Sequence, residues 1–326
     1  MDSVVKKYLQ SFEFGDTQIH KNMAVFPLLC GLNHDPEYLT LKEALDTHVL
    51  KIAEVNQAGS VPELKVINEG EIPVLLLDGE EVVGAKQNRV LNTSILISAQ
   101  AETVIPVSCT EQGRWAYRSQ EFQDSDTLMS TKVRRVKAQS VSDSLQESRE
   151  FRSDQGTVWS AIDELAQEAE APSQTGAMRD SFTAKTEELD DYLKAFTSIP
   201  KQRGLLVMVG EDVVGFDFVS LESAYNLLHA KLVKSYAMDA LLQKNGKEAV
   251  PQVEKAQGFL VQAVKCKEKK YESVGQGADY RYEGVNLVGS ALKVDKKIIH
   301  AAFFKIAEHE KTGEIAGSRR RSRFRR

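Results

Sequence analysis

Five side chains suited to binding a sugar phosphate lie within seven residues of this chain: Lys86, Gln87, Asn88, Arg89 and Asn92. Lysine and arginine supply charge-assisted hydrogen-bond donors for phosphate oxygens, whereas asparagine and glutamine supply paired donors and acceptors for sugar hydroxyls. The pattern therefore favours a ligand-binding segment. A solvated polar loop without a chemical role is the alternative interpretation, because polar loops are common.

Two acidic residues near this segment are candidates for proton transfer or water activation. Glu81 and Glu111 lie close in sequence to basic residues, including Arg114, that would hold a carboxylate ionised and oriented. For Glu81 the alternative is an ordinary salt-bridged turn, shared with Glu80. Trp115 would stack on a nucleobase or, alternatively, fill part of the core.

Cys109 precedes Arg114 by five positions, which matches the spacing of a rhodanese-like anion-binding loop. Such a loop binds an anion with backbone amides around a thiolate, and Glu111 inside it would oppose both charges. We therefore predict that Cys109 is a packed thiol at the end of a strand and not a nucleophile.

A second, sparser set of candidate ligand-binding residues lies near the C-terminus and comprises Asp279 and Arg281, with His300 nearby in sequence. Exposed strand positions are the alternative for the first two, and a hydrogen-bonded core histidine is the alternative for His300. The six histidines and three cysteines show neither His-x-x-x-His nor Cys-x-x-Cys spacing. No metal site is predicted, and the sequence does not indicate a cofactor.

Short apolar segments must position the first polar cluster. Residues 72–77, 82–83, 94–99 and 103–108 predict strands, with Asp78 and Gly79 closing a hairpin between the first two. The polar side chains then fall at strand ends. Earlier in the chain, residues 12–14 and 24–29 also predict strands.

Helices are predicted by capping and apolar spacing. Thr40 and Glu43 form a capping box, from which helical spacing continues to Gly59, with His48 in a structural position. Residues 119–153 hold few large apolar residues and are expected to pack loosely. The last helices of the chain are predicted at residues 157–170, 183–196, 220–236 and 250–264.

A motif of the first cluster recurs in the second half of the chain. Gly-Glu-(Glu/Asp)-Val-Val-Gly occurs at residues 79–84 and again at 210–215, which indicates a duplicated hairpin or two hairpins under similar demands. The second copy leads into the helix from Ser220, on which His229, Lys231 and Lys234 are expected to be exposed. A β-rich segment, 265–304, follows.

These patterns predict an α+β protein with a β-rich N-terminal lobe (1–118), a helical middle segment (119–200), a mixed C-terminal lobe (201–312) and a basic tail (313–326). Residues 1–312 are expected to form one family domain. The middle segment would be either a helical excursion or a mobile lid.

The chain of 326 residues carries a formal net charge of -5, so its overall balance predicts no general affinity for nucleic acid or for anionic membranes. It has no apolar run of about 20 residues and no secretion signal, which predicts a cytoplasmic protein. Six arginines between Arg319 and Arg326 would bind RNA through phosphate neutralisation, or they are a solvated end of the chain.

Several of these motifs resemble a known prokaryotic family, the ARPP-type domain, named for its association with ADP-ribosylglycohydrolases and with the rhodanese and phosphatase superfamily. The resemblance runs from about residue 10 to about residue 305. It rests on residues 77–92, 105–109, 111–115, 204–218, 277–281 and 289–290.

The resemblance implies a role beside enzymes that act on ADP-ribose, NAD derivatives or RNA-end sugars, with no established reaction. On that basis Lys86, Arg89 and Arg114 would hold phosphates, and Gln87, Asn88 and Asn92 would hold hydroxyls. The alternative is a non-catalytic scaffold or regulator that partners such enzymes, in which the polar motif organises the fold.

Overall fold

A computed structural model describes residues 1–32, 36–56, 59–243 and 247–306. The segment from Arg319 to Arg326 lies outside the described residues. Within them the chain has the predicted α+β fold with a β-rich N-terminal region.

The N-terminal third holds helices α1 and α2 and strands β1 to β11. The helices are Ser3–Gln10 and Leu41–Asp46. The strands are Phe12–Phe14, Gln18–His20, Met23–Cys30, Leu39–Thr40, Leu50–Glu54, Glu63–Asn68, Val74–Leu76, Glu80–Gly84, Arg89–Leu91, Ile95–Ile97 and Ala101–Cys109.

The middle segment holds strand β12, Phe122–Leu128, and helices α3 to α6. These helices are Thr131–Glu147, Gln155–Glu168, Met178–Ala184 and Thr186–Ala195. The C-terminal part holds helices α7 and α8, Glu222–Leu242 and Val253–Val264, and strands β13 to β18. These strands are Gln202–Val209, Asp212–Val219, Lys267–Glu272, Ala278–Glu283, Leu287–Val294 and Lys297–Lys305.

The largest sheet is nine-stranded, with the order β1-β3-β13-β14-β18-β17-β16-β15 and β2 paired with β3. It joins strands of both predicted lobes, because β3 pairs with β13. Successive side chains of a strand point to opposite faces, so Leu206 and Met208 pack towards α1 and α8 while Leu205 and Val207 pack towards α7. Burial on both faces explains the nearly uninterrupted apolar sequence of these strands.

A six-stranded antiparallel sheet, β12-β8-β9-β11-β6-β5, forms the second body. A bridge between Ala53 of β5 and Glu121, just before β12, brings its two edges together, so the sheet closes into a barrel. One end of this barrel faces the small sheet β10-β7-β4, because β7 leads into β8 and β9 leads into β10. The opposite end, where β8 ends at Gly84 and β9 begins at Arg89, is here called the barrel mouth.

The expected hairpin at Asp78 and Gly79 does not form. Strand β7 pairs with β10 and β4, whereas β8 pairs with β9 and β12, so this turn carries the chain from the small sheet into the barrel. The second copy of the motif does form a hairpin, β13–β14. Gly79 has φ +90° and lies against the Arg134 side chain, so the same short sequence serves two different tertiary settings.

The helix predicted from Thr40 to Gly59 ends at Asp46. Its capping box is confirmed, since Glu43 N–H donates to Thr40 Oγ1 at 3.3 Å and Thr40 N–H donates to Glu43 Oε2 at 2.8 Å. His48 does not lie in the helix, because it follows it in a left-handed conformation with φ 58°. Residues 50–54 instead form β5, in which alternate side chains face the core and backbone pairs with β6.

Residues 119–153 are not loosely packed, because they form β12 and α3 with the side chains of Arg134 and Lys137 fully buried. Both cations are paired with acids: Arg134 with Asp217, and Lys137 with Asp78. A low apolar content therefore predicted exposure wrongly, since paired charges replace part of the usual apolar core.

The expectation for the exposed side of α7 was also wrong for two residues. His229 and Lys231 are buried, whereas Lys234 is partly exposed and pairs with Asp190. His229 Nδ1 is hydrogen-bonded to Tyr225 Oη at 2.9 Å. The helix lies between the large sheet and β12, so its polar side is covered by protein.

Candidate functional site

The barrel mouth brings together three buried polar side chains from three strands. Arg89 opens β9, Cys109 ends β11 and Glu54 ends β5. Alternation places them on the inner face of the barrel, because residues two positions along the same strands, such as Leu91 and Ile52, belong to the barrel core. The mouth is therefore a polar ring above an apolar interior.

Arg89 is a buried charge at the mouth that is only partly compensated by hydrogen bonds. It is 0% exposed, and its Nη1 donates to Gln87 Oε1 at 3.0 Å and to Asn88 O at 3.4 Å. Its Nε and Nη2 atoms have no hydrogen-bond partner among the described residues. Burial lowers the pKa of Arg89. A buried guanidinium with two unpartnered donor atoms lowers stability, so its presence requires an explanation other than stability.

An aromatic and cationic surface covers Arg89. The Lys86 ammonium lies 5.2 Å from the Trp115 ring centre and 5.1 Å from the Tyr117 ring centre, and the Arg89 guanidinium lies 5.7 Å from Trp115. Both rings are 48% exposed, so Trp115 does not fill the core. The nearby Arg118 is also exposed. This surface offers stacking faces and positive charge together.

Glu111 and Arg114 form a buried pair that fixes the two loops of the mouth. Arg114 Nε donates to Glu111 Oε2 at 2.8 Å, and its Nη1 donates to the carbonyls of Ala85 and Ala116. Its Nη2 donates to Asn88 Oδ1 at 3.0 Å. Burial opposes ionisation of Glu111, but hydrogen bonds, chiefly from Arg114, hold its pKa below the ordinary value. Glu111 is thus held ionised beside Arg114.

Cys109 lies inside this network and is fully buried. Its thiol donates to Gln87 Oε1 at 3.2 Å, and burial raises its pKa. A thiol with a raised pKa is a poor nucleophile at neutral pH. This geometry agrees with the packed strand-end thiol predicted from the sequence.

Glu81 is fully buried on the β8 strand. Burial raises the pKa of Glu81 to about 7, although Thr110 Oγ1 donates to its Oε1 at 2.6 Å. The other carboxylate oxygen has no hydrogen-bond partner among the described residues. A carboxyl group that titrates near neutrality suits acid or base chemistry, but a position inside the fold gives it a structural effect as well.

We expect Glu81→Gln to change how stability depends on pH. The folded pKa lies above the unfolded value, so the wild-type protein loses stability as pH rises from about 4.5 to about 7. The variant lacks this loss, so its stability relative to wild type should rise by about 2 to 4 kcal/mol between pH 4 and pH 8. Denaturant unfolding at both pH values measures the change. The exposed Glu102→Gln is the control, and parallel profiles for wild type and Glu81→Gln would contradict the expectation.

Three predicted ligand-binding residues lie away from the mouth. Asn92 follows the opposite end of β9, where its Nδ2 donates to Phe151 O at 3.0 Å and its Oδ1 accepts from Ser108. Asp279 and Arg281 pair at 2.6 Å on β16 and are buried, so the interpretation as exposed strand positions was wrong.

His300 is a hydrogen-bonded core histidine, as its alternative interpretation held. Its Nδ1 is hydrogen-bonded to Ser94 Oγ at 2.9 Å and its Nε2 to Asp217 Oδ1 at 3.3 Å. Asp217 also accepts two bonds from Arg134. All four side chains are buried. They join the large sheet, which carries His300 and Asp217, to the segment between β9 and β10 and to α3.

The sequence interpretation missed Glu54, Tyr117 and Arg118. Glu54 was hidden by the wrong helix assignment, although its place in Leu50–Glu54 follows the apolar alternation of a strand. Tyr117 and Arg118 lie two and three positions beyond Trp115, so their proximity to an exposed aromatic residue was the available signal.

None of the helices in the described ranges has the length and apolar character needed to cross a membrane. No curated protein and no solved structure matches the chain. The model of the ARG and Rhodanese-Phosphatase-superfamily-associated Protein domain matches residues 11–304, which include the barrel mouth. The chain therefore belongs to the family of the ARG and Rhodanese-Phosphatase-superfamily-associated Protein domain.

Proposed function

We propose that this chain binds an ADP-ribose-like, NAD-derived or RNA-end sugar-phosphate ligand at the barrel mouth. The buried guanidinium of Arg89, with two unused donors, is the observation that carries the proposal. Phosphate oxygens would accept hydrogen bonds from both donor atoms, and the negative charge of the phosphate would neutralise the guanidinium. The mouth of a β-barrel is also a common place for small-molecule sites.

The surface around Arg89 supports a ligand that carries a base beside its phosphates. Rotation of the half-exposed Trp115 would open the guanidinium, and the indole and Tyr117 rings would then stack on an adenine. Lys86 and Arg118 would add charge for a second phosphate. The family name supports the same ligand class, because its first element refers to ADP-ribosylglycohydrolases.

The predicted ligand-binding residues divide into two groups on this proposal. Arg89, Lys86 and Trp115 would contact the ligand directly. Gln87 and Arg114 have their polar groups engaged within the protein, so they would position the first group and not bind the ligand themselves. Asn88 Oδ1 accepts from Arg114, whereas its Nδ2 has no hydrogen-bond partner among the described residues and would donate to a ligand hydroxyl.

Calorimetric titration of purified protein with ADP-ribose, NAD and short RNAs tests the proposal. Loss of charge-assisted hydrogen bonds costs about 1.5 to 3 kcal/mol, so Arg89→Met should weaken binding of the accepted ligand by about 10- to 150-fold. The same variant should keep or raise the melting temperature, because an apolar residue replaces a poorly compensated buried charge. Trp115→Ala should weaken binding with little change in stability.

The half-buried Tyr271, on edge strand β15 of the large sheet, provides a matched control as Tyr271→Ala, which should leave binding unchanged. If no ligand of the panel binds, the ligand-site proposal fails.

The second candidate is the non-catalytic scaffold, which the internal bonds of Arg114 favour. In that case Arg114→Met and Asn88→Ala would lower the melting temperature, and the wild-type protein would bind none of the ligands. Retained folding of both variants would count against the scaffold.

A further inference from the structure

Both carboxylate oxygens of Glu54 are buried and accept no hydrogen bond from the described residues. The residue is 8% exposed, and neither Oε1 nor Oε2 has a hydrogen-bond partner among the described residues. A buried carboxylate normally accepts several hydrogen bonds, because its transfer from water is otherwise costly. Two unused acceptors at the inner face of the barrel therefore indicate that something donates to them in the working protein.

The position of Glu54 is that of the proposed ligand site. A Cβ atom added to Gly59 would lie 3.5 Å from Glu54 Oε2, 3.4 Å from Trp115 Cζ2 and 3.2 Å from Lys86 Cδ. Glu54, Trp115 and Lys86 thus converge on one glycine, which has φ +80°. The absence of a side chain at Gly59 leaves the three groups close to one another and to the mouth.

Glu54 and Arg89 are neighbours that do not bond to each other. The Glu54 carboxylate acts electrostatically on Arg89, yet the oxygens of the first and two nitrogens of the second remain unpartnered. An acid and a base that are both buried and near each other would pair directly if the fold served stability alone. A molecule that presents donors to one group and acceptors to the other would satisfy the unpartnered atoms of both.

The chemistry of that molecule follows from the two groups. Two adjacent hydroxyls match the two oxygens of one carboxylate, as in the acidic residue that binds the ribose of a dinucleotide. A phosphate matches the Arg89 donors but would be repelled by Glu54. The ligand must therefore place a diol and a phosphate a short distance apart, which is the arrangement of a ribose phosphate.

We propose that Glu54 accepts the 2′- and 3′-hydroxyls of a ribose whose phosphate binds Arg89, and that it selects ligands with an unmodified diol. This inference rests on the proposed function and adds the group that recognises the sugar. Ribose modified at the 2′ position by a phosphate would be rejected, because a second negative charge would face Glu54.

Calorimetry with the wild-type protein provides the first arm of the test. ADP-ribose is compared with two analogues, each of which lacks the 2′-hydroxyl of one of its two riboses. We expect one analogue to bind at least tenfold more weakly than ADP-ribose, because the missing hydroxyl leaves a buried carboxylate oxygen without a donor. Equal affinity for all three ligands would overturn the role of Glu54 while leaving the proposed function intact.

The second arm uses Glu54→Gln, with melting temperature as the check on folding. The variant should lose the discrimination between ADP-ribose and the weak analogue, and it should tolerate a 2′-phosphate better than wild type does. The surface variant Glu69→Gln is the matched control. Retained discrimination in Glu54→Gln would overturn the inference. Absence of ADP-ribose binding to wild type would instead refute the proposed function itself, and the inference with it.

Discussion

Replacement of Lys231 by methionine is expected to lower the free energy of unfolding by about 3 to 5 kcal/mol. The Lys231 ammonium is 2.8 Å from Glu80 Oε1 and 2.6 Å from Asp124 Oδ2, and all three side chains are buried. Its removal leaves two carboxylates facing each other without a cation. The variant also lacks the ion pairs that link α7 to β8 and β12, so the lost free energy of unfolding comes from the junction between the barrel and the large sheet.

The pH dependence of this loss identifies its cause. Burial already raises the pKa of Glu80 in the wild-type protein, and loss of the ammonium would raise it further. A group with a raised folded pKa is stabilising when protonated, so the variant should recover stability as pH falls. Denaturant unfolding at pH 8 and pH 5 should show a larger deficit at pH 8.

Lys234→Met on the same helix is the matched control, since Lys234 forms only a half-exposed pair with Asp190. Its effect should stay within about 1 kcal/mol. A Lys231→Met deficit as small as that of the control would contradict the role assigned to the buried triad.

Replacement of Asp217 by alanine should cost a similar amount, about 3 to 5 kcal/mol. Arg134 donates to Asp217 with Nη1 at 2.9 Å and Nη2 at 2.6 Å, and Tyr236 donates to it at 2.8 Å. The alanine variant leaves a fully buried guanidinium without its carboxylate. Because these residues come from α3, β14 and α7, the variant should loosen the packing of both helices against the sheet.

The Asp217 pair should also resist acid. Burial opposes ionisation of Asp217, but Arg134 and His300 hold its pKa well below the ordinary range. Its contribution is therefore complete above about pH 4 and is lost only as pH falls towards the folded pKa. The deficit of Asp217→Ala in thermal or denaturant unfolding should be constant between pH 5 and pH 8.

Two further variants separate charge from packing at this position. The double variant Arg134→Met with Asp217→Ala should be more stable than Asp217→Ala alone, because no uncompensated charge remains. Asp212 lies on the same strand as Asp217 and forms an exposed ion pair with Lys305. Asp212→Ala removes only that exposed pair, so it should cost less than about 1 kcal/mol. Additive losses in the double variant would argue against the paired-charge explanation.

The repeated motif shows that the same short sequence can have different strand partners in the tertiary structure. Residues 79–84 and 210–215 share the pattern, and only the second copy forms the predicted hairpin. The first copy is preceded by Asp78, which pairs with the buried Lys137 of α3, 59 residues away. A contact at that separation leaves no trace in local spacing, so the sequence could not reveal it.

The sequence predicted several residues of the candidate site, but it did not predict how they are arranged in space. The sequence placed Lys86, Arg89 and Trp115 in one segment, and the structure brings them together at the barrel mouth. The sequence interpretation also grouped Asn92 with these residues. In the structure, Asn92 follows the end of β9 opposite to Arg89 and therefore lies at the other end of the barrel. Glu54 was missed, because it joins the mouth only through the closure of β5 against β12.

The sequence by itself determined the α+β class, most strands and helices, and the family, because these depend on local periodicity, caps and extended motifs. Only the tertiary structure decided which polar residues are buried, since Arg134, Lys137, Lys231 and Asp217 look like surface residues until their partners are known. Burial of a charge depends on an opposite charge distant in sequence, and local patterns carry no information about that partner. The same reason made Arg89 and Glu54 recognisable as unpaired only after the barrel had closed.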